Sequence, residues 1–350
     1  MTYDYCIVGQ GLSGSLLAAE LLSKGKTVLV VQSKLVTKSS EVAPGMFNPL
    51  VLKRFTLAWK APLLIPFLKT HYERLEKEYN QSFIQNMDLY RLFHDDKERH
   101  LWMDKSDQLA LEPFMDASTF PVSNSKIEKQ IGLGKVLHTG RVVIKDFIKA
   151  VGKRLKETES IVNDCFDYEA LLIQGERFSY KSYHFDKIIF AEGYGLKGNP
   201  WFKYLPLKGT KGELITILAP DLKLMSPIKS SVLVMPLGND MYRVGASFNW
   251  DDKDTIPTNE GNEWLISKLK QIINCNFEVI EHDAGIRPTV VDRRPLLGEH
   301  PEYKNMFVFN GMGTRGVMLA PFGVKMLLNN IEENTPIDEE WDIKRFTDHA

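Results

Sequence analysis

Cysteine is scarce: the 350 residues hold three, Cys6, Cys165 and Cys275, far apart and odd in number. They form neither a metal-like pair nor a disulfide framework, which fits a reducing compartment. Long apolar runs are missing too; the stretch Ala61–Leu68 is much too short to span a bilayer. No Lys or Arg precedes the first apolar run, and Asp4 stands inside it. That start reads as a buried strand without a signal peptide, so a soluble cytoplasmic protein is expected, with no membrane partner. Neither sign of charge prevails: 44 Lys+Arg against 45 Asp+Glu leave a net charge of −1. No basic excess points to nucleic acid. The eight histidines, His138, His184 and His282 among them, give no H-E-x-x-H and no metal-ligand spacing. A G-x-S-x-G elbow is absent as well.

What is present is ordinary for a globular chain. Hydrophobic residues at 43% and charged residues at 25% argue against disorder. The length exceeds the roughly 100–200 residues of one domain, so two domains or one discontinuous unit are expected. The first thirty residues are the most legible. Tyr3–Val8 is a short apolar, β-branched run, Ser15–Lys24 carries leucines at helical spacing, and Thr27–Val31 is a second buried strand. Farther on, Trp59–Tyr79 and Ile144–Glu157 read as amphipathic helices, and Lys187–Phe190 as a strand ending in Ala191-Glu192-Gly193. From Gly212 the pattern alternates: Ser231–Met235 and Met241–Ala246 flank a Gly238-Asn239-Asp240 turn. Thr258 is placed to cap a helix through Ile273, Phe277–Arg287 returns as a strand, and Met306–Asn310 is a last strand before a helix from about Arg315 to Ile331. Behind the acidic tail, Trp341 and Phe346 are expected to dock back. Strand–helix alternation at both ends and a β-rich middle suggest a nucleotide-binding domain interrupted by a second one.

Gly9-x-Gly11-x-x-Gly14 sits between the first strand and the first helix. Gly9 permits the tight turn, Gly11 lets a pyrophosphate approach the backbone, and Gly14 permits close helix–strand packing. The helix N-terminus at Leu12 and Ser13 then offers free N–H groups to phosphates. One position departs from this dinucleotide fingerprint. The acidic residue that ends the second strand and binds a ribose is here Gln32, followed by Ser33. Lys34 offers a basic pocket for a 2′-phosphate, or plain solvated surface.

Three later segments join this motif: Ser39-Ser40-Glu41-Val42-Ala43-Pro44-Gly45-Met46-Phe47-Asn48-Pro49, then Ala284-Gly285-Ile286-Arg287-Pro288-Thr289, then Asn310-Gly311-Met312-Gly313-Thr314-Arg315-Gly316. The set resembles the FAD-dependent D-amino acid oxidase superfamily, nearest its glycine oxidase and sarcosine oxidase group, essentially from end to end. The resemblance implies an α/β fold, α+β overall: a Rossmann-type FAD-binding domain with an inserted, mainly antiparallel β-sheet substrate domain. The first would take residues 1–85, 135–205 and 285–350, the second 86–134 and 206–284. It also implies an FAD-dependent oxidoreductase that oxidises the C–N bond of a small amino acid or secondary amine, with oxygen as acceptor. No cysteine stands at the attachment position of the sarcosine oxidases, so non-covalent FAD is expected.

Implied FAD contacts are Gly9, Gly11, Leu12, Ser13, Gly14, Gln32, Ser33, Ser40, Met46, Asn48, Val162, Ala191, Glu192, Gly193, Arg287, Gly311, Met312, Gly313, Thr314, Arg315 and Gly316. Glu192 reads either as a ribose acceptor or as a capped structural acid, and Tyr194 and Trp201 as flavin borders or as packing. The catalytic set is Arg287, Phe248 and Gly313. Arg287 matches the carboxylate clamp, with pairing to Asp283 or Asp292 as the structural alternative; Phe248 matches the apolar ceiling. Gly313 lies in the turn that aims N–H groups at the charge developing on the reduced ring. The tyrosine that assists the clamp in glycine oxidases falls at Leu233, which has no hydroxyl. That departure suggests a substrate with an apolar side chain or a differently placed carboxylate. Competing readings are an oxidase acting on a modified tRNA base, and a flavin-binding protein without turnover.

Overall fold

The computed structural model describes residues 1–33, 38–128 and 131–349. Its first sheet grows from the apolar opening of the chain. Every residue of the Thr2–Val8 strand from Tyr5 to Val8 is buried, as is every residue of Val28–Gln32. Strands buried on both faces suit the middle of a parallel sheet covered by helices. α1 (Leu12–Ser23) connects the two and stops at Lys24 and Gly25, whose φ of 73° favours glycine. The other helices are α2 (Ser39–Val42), α3 (Ala61–Tyr79), α4 (Asp96–Ser106), α5 (Ile144–Glu157), α6 (Asn259–Lys270) and α7 (Gly316–Glu333).

The first sheet runs in the order Ile161–Asn163, Val28–Gln32, Thr2–Val8, Tyr183–Phe190. The last strand is shared: its end pairs in parallel with Met306–Asn310, and its beginning pairs antiparallel with Arg177–Tyr180. On one face α1, α3, α5 and α7 bury Leu16, Leu68, Phe147 and Leu327 in a common core. The opposite face packs Phe166, Tyr180, Phe190 and Phe202. Trp341 is fully buried and lies 5.1 Å from Trp59, ring to ring, so the tail docks back as expected. Phe346 packs beside the second of these cores.

The second sheet is mainly antiparallel: Glu278–Arg287, Thr210–Leu218, Met241–Gly245, Leu233–Gly238, Ile228–Lys229, Leu89–Leu92, Leu133–Val136, Met115–Phe120. Ile228–Lys229 with Leu89–Leu92 is its parallel pair. Both segments expected to form the substrate domain feed it. The strands Leu133–Val136 and Glu278–Arg287 continue across the borders expected at 134/135 and 284/285. On one face α6 packs Leu265 and Leu269 against Ile215, Ile217 and Val244. On the other, α2 comes within van der Waals reach of Gly285 and α4 sets Trp102 against Gly134.

The hairpin turn is shorter than the expected Gly238-Asn239-Asp240. Gly238 pairs with Met241 inside the ladder, and Asn239 and Asp240 alone make the turn, with φ of 51° and 58°. Two left-handed residues in a two-residue loop match the twist of the flanking strands, and Asn and Asp tolerate that conformation.

Candidate active site

The glycine turn has the geometry its spacing predicts. Gly9 adopts φ 101°, and a Cβ there would lie 2.6 Å from the Ala191 carbonyl oxygen. A Cβ on Gly14 would sit 1.9 Å from the Gly9 carbonyl, so helix and turn touch through glycine alone. Gly11 differs: a Cβ there would meet only the Ser40 hydroxyl, at 3.3 Å. The backbone is therefore open at Gly11, as a bound pyrophosphate requires. The Leu12 N–H donates to Ser40 Oγ at 3.0 Å, which brings α2 to the start of α1. No acidic side chain occupies the first turn of α1, so its positive end stays available to an anion.

Beyond the ends of the first two strands lies a cleft of about 480 Å³, lined by Gln10, Gln32, Lys38, Ile148, Gly152 and Ile161. Gln32 is buried, with one protein partner at each end of its amide and a donor and an acceptor site left over: Nε2 donates to Asn163 Oδ1 at 2.8 Å, and Oε1 accepts from Lys38 Nζ at 2.7 Å. Val162 pairs with Val31 next to it, and Ser33 directly follows Gln32. Lys34 lies outside the described residues. Gln10 was not foreseen; it donates to the Ile148 carbonyl in space that Gly152 leaves free.

Glu192 has internal donors, as the capped-acid reading expects, with acceptor sites left for a ribose. Its oxygens accept from Tyr168 Oη at 2.6 Å and Asn199 Nδ2 at 2.9 Å, and burial pushes its carboxyl up to about 7. Tyr194 and Trp201 pack beside the second core, Trp201 stacked on Phe190 at 5.6 Å. Ala191 continues the ladder through its N–H to Val8, and Gly193 has φ 59° with open space at its missing Cβ.

The second glycine turn meets the first. Gly316 opens α7, and a Cβ on it would lie 3.6 Å from the Leu12 side chain. Gly311 (φ 75°) and Gly313 (φ 54°) shape the turn; buried Met312 lies between them and exposed Thr314 follows. Asn310, overlooked as a site residue, donates to the Gly193 carbonyl at 2.9 Å and so ties the two strand ends together. Arg315 has a buried Nη1 with no hydrogen-bond partner among the described residues, and burial lowers its pKa. Met46 packs in a small cluster with Leu233, and Asn48 accepts from the Leu50 N–H.

Arg287 ends the last strand of the second sheet. Gly212 leaves room for its guanidinium: a Cβ there would lie 2.0 Å from Nη2. Nη1 donates to the Lys211 carbonyl and Nη2 to the Ser247 carbonyl, at 3.3 and 3.2 Å. The Phe248 ring, itself exposed, covers the guanidinium at 4.4 Å. Among the described residues no carboxylate pairs with it. Asp283 is taken by Arg243 at 2.6 Å and Asp292 by Arg345 at 2.9 Å, so the structural ion pair is not formed. Burial lowers the pKa of Arg287 to about 10. The arrangement can accept an anion over an aromatic floor.

Among the described residues no His, Cys, Asp and Glu cluster could hold a metal, and no helix is long and apolar enough to cross a membrane. The sequence model described as DAO, FAD dependent oxidoreductase, matches residues 4–328. The glycine oxidase of Bacillus subtilis (strain 168) is 23% identical over 364 residues, covering 97% of this chain and 95% of that protein. The tRNA 5-methylaminomethyl-2-thiouridine biosynthesis bifunctional protein of Idiomarina loihiensis is 23% identical over 388 residues, 96% of this chain but 57% of its own length. Among solved structures, iminodiacetate oxidase from Chelativorans sp. BNC1 superposes with a TM-score of 0.79 at 16% identity, over 97% of this chain and 98% of that one.

Proposed function

The chain belongs to the DAO family of FAD dependent oxidoreductases, and on that premise we propose that it oxidises the C–N bond of a small amino acid or secondary amine. The open backbone at Gly11 and the absence of an acidic side chain from the first turn of α1 fit the FAD pyrophosphate. Gln32, Ser33 and Val162 would hold the adenosine half. Ser40, Met46, Asn48, Ala191, Gly193 and the turn from Gly311 to Gly316 would border the rest. None of Cys6, Cys165 and Cys275 stands at the attachment position of the sarcosine oxidases, so FAD would be held without a covalent bond. FAD supplies the acceptor for the hydride leaving the substrate carbon, at flavin N5, and oxygen serves as the final oxidant. Arg287 holds the substrate carboxylate, Phe248 covers the bound substrate, and the turn around Gly313 would border the ring, although the Gly313 N–H itself donates to the Pro288 carbonyl at 3.1 Å and is not free to face the developing charge. The substrate amine enters unprotonated, so the chain need supply no base. The second sheet would act as the substrate domain.

One observation carries this reading: Arg287 is half-buried with carbonyl partners and, among the described residues, no carboxylate. The glycine oxidase relative supports an amino acid as substrate. The test incubates the FAD-loaded protein without oxygen with a panel of amino acids and secondary amines, and follows bleaching of the flavin band. Benzoate and glycolate are then titrated by flavin absorbance. Arg287→Ala is expected to weaken their binding by about 2–5 kcal/mol, and Arg287→Lys to restore part, since an ammonium lacks the planar fork. FAD content should stay unchanged. A flavin-loaded Arg287→Ala protein with unaltered carboxylate affinity removes Arg287 from the site.

A further inference from the structure

Directly paired residues of neighbouring strands share a face of a sheet, as do residues two apart along one strand. Lys229, Leu233, Gly245, Leu214 and Asp283 therefore form one transverse row on one face of the second sheet. Arg243 and Arg287 lie on that face by register, and Arg91, paired with Lys229, lies there too. It is the face that α2 approaches at Gly285.

Cations on this face divide sharply. Arg91 is neutralised by Glu98 at 2.6 Å and Arg243 by Asp283 at 2.6 Å. Among the described residues nothing neutralises Arg287 or Lys229. Lys229 is half-buried, and its Nζ donates to one acceptor, the Ser231 carbonyl, at 3.1 Å. Its neighbour Arg91 adds repulsion to the cost of burial, and together they lower its pKa to about 8. Between the two free cations the face is apolar: Leu214 and Leu233 flank Gly245. The pyrophosphate of FAD does not account for Lys229. The glycine turn reaches this sheet through α2, at Gly285 and Arg243, whereas Lys229 stands strands away.

Strands lie about 4.8 Å apart and rise about 3.4 Å per residue, so four strand steps and four residues along the strand put the two Cα atoms roughly 24 Å apart. Two long side chains leaning inward reduce that to a gap on the order of 10 Å. We propose that Lys229 is a second substrate anchor, so that the substrate carries, beside the carboxylate held by Arg287, another anionic group on the order of 10 Å away across an apolar middle. This rests on the reading of Arg287 as the carboxylate clamp. It names the substrate class: an amino acid or secondary amine extended by a chain that ends in a carboxylate or phosphate. Leu233 contacts that chain, where a hydroxyl would have no partner.

The FAD-loaded protein is titrated by flavin absorbance with succinate, adipate, suberate and sebacate, each against the monocarboxylate of equal length, and with 8-phosphonooctanoate. The expected result is no advantage for succinate and roughly tenfold or more for suberate or sebacate over the matched monoacid. The phosphonate arm distinguishes a phosphate from a carboxylate as the second group. Lys229→Met should abolish the advantage and leave monocarboxylate binding unchanged, and Lys229→Arg should keep part of it. Equal affinity for long diacids and monoacids in the wild type, or an advantage that survives in Lys229→Met, overturns the proposal. If Lys229→Met does not load flavin, the wild-type chain-length series decides alone. Monocarboxylates that bind through Arg287 without a diacid advantage sink this inference only. The failure of every carboxylate to perturb the flavin sinks the clamp as well.

Discussion

A carboxyl group that loses water prefers to keep its proton unless cations or enough donors replace the solvent. Glu192 has two donors, Tyr168 and Asn199, and no cation, and its value rises from an ordinary 4.5 to about 7. The folded state therefore holds a proton that the unfolded chain releases. The resulting stability is fully present below pH 4.5 and is lost as pH rises through about 7. Glu192→Gln keeps an acceptor and a similar volume but cannot ionise. Its melting temperature is expected to change less than that of the wild type across this window, and to exceed it at the alkaline end. Thermal unfolding at a series of pH values checks this; parallel curves for the two proteins would mean that Glu192 is ionised throughout. In the sequence Glu192 was legible only as an acid beside a glycine turn. Its internal donors are Tyr168 and Asn199, and only the fold brings the former near.

The same limit shows among the elements. α1 and its flanking strands were readable because local chemistry and tertiary role coincide: apolar runs, a glycine turn and a glycine stop. α4 was not foreseen. Of its residues only Trp102 and Ser106 are buried, so it has almost no apolar periodicity. Its usable signal was the cap, where the Asp95 side chain accepts from the Glu98 N–H. Within the glycine turn the elements separate two effects that sequence spacing alone merges. Gly14→Ala forces a Cβ to 1.9 Å from the Gly9 carbonyl and should damage the packing of α1 on the sheet. Gly11→Val places its side chain toward the Ser40 hydroxyl and the open cradle, and should leave the fold intact while excluding FAD. Circular dichroism and FAD occupancy measured on both proteins give the contrast. A Gly11→Val protein with full occupancy would falsify the cradle.

At the scale of the whole molecule, two sheets built from interleaved segments must be held in one relation if the glycine turn and Arg287 are to serve one site. Their strand patterns were largely readable, but their contact was not, because it joins residues far apart in the chain. α2 makes that contact. Four residues cannot form a stable helix alone, and α2 is held from both sides. In front, Ser40 accepts from the Leu12 N–H; behind, Arg243 Nη2 donates to the Val42 carbonyl at 3.2 Å. Arg243 is itself fixed by Asp283 at 2.6 Å and by Thr216 Oγ1 at 2.8 Å. Arg243→Met should keep the apolar stem and the second sheet, since the Asp283 side chain is 37% exposed and can turn to water. It removes the rear hold on α2, and with it the fixed place of Ser40 at the phosphate turn. FAD affinity is expected to fall by roughly tenfold, and the rise in melting temperature on adding FAD to shrink with it, because a ligand that binds only the folded state stabilises it by RT ln(1 + [L]/Kd). Asp283→Asn keeps the bond from Arg243 to Val42 and should lose less of both. Reconstitution of each apoprotein with FAD, followed by fluorescence and by thermal unfolding, measures the two quantities together. A lower melting temperature of apo Arg243→Met with unchanged FAD affinity would show that the join between the sheets stabilises the molecule without shaping the cofactor cradle.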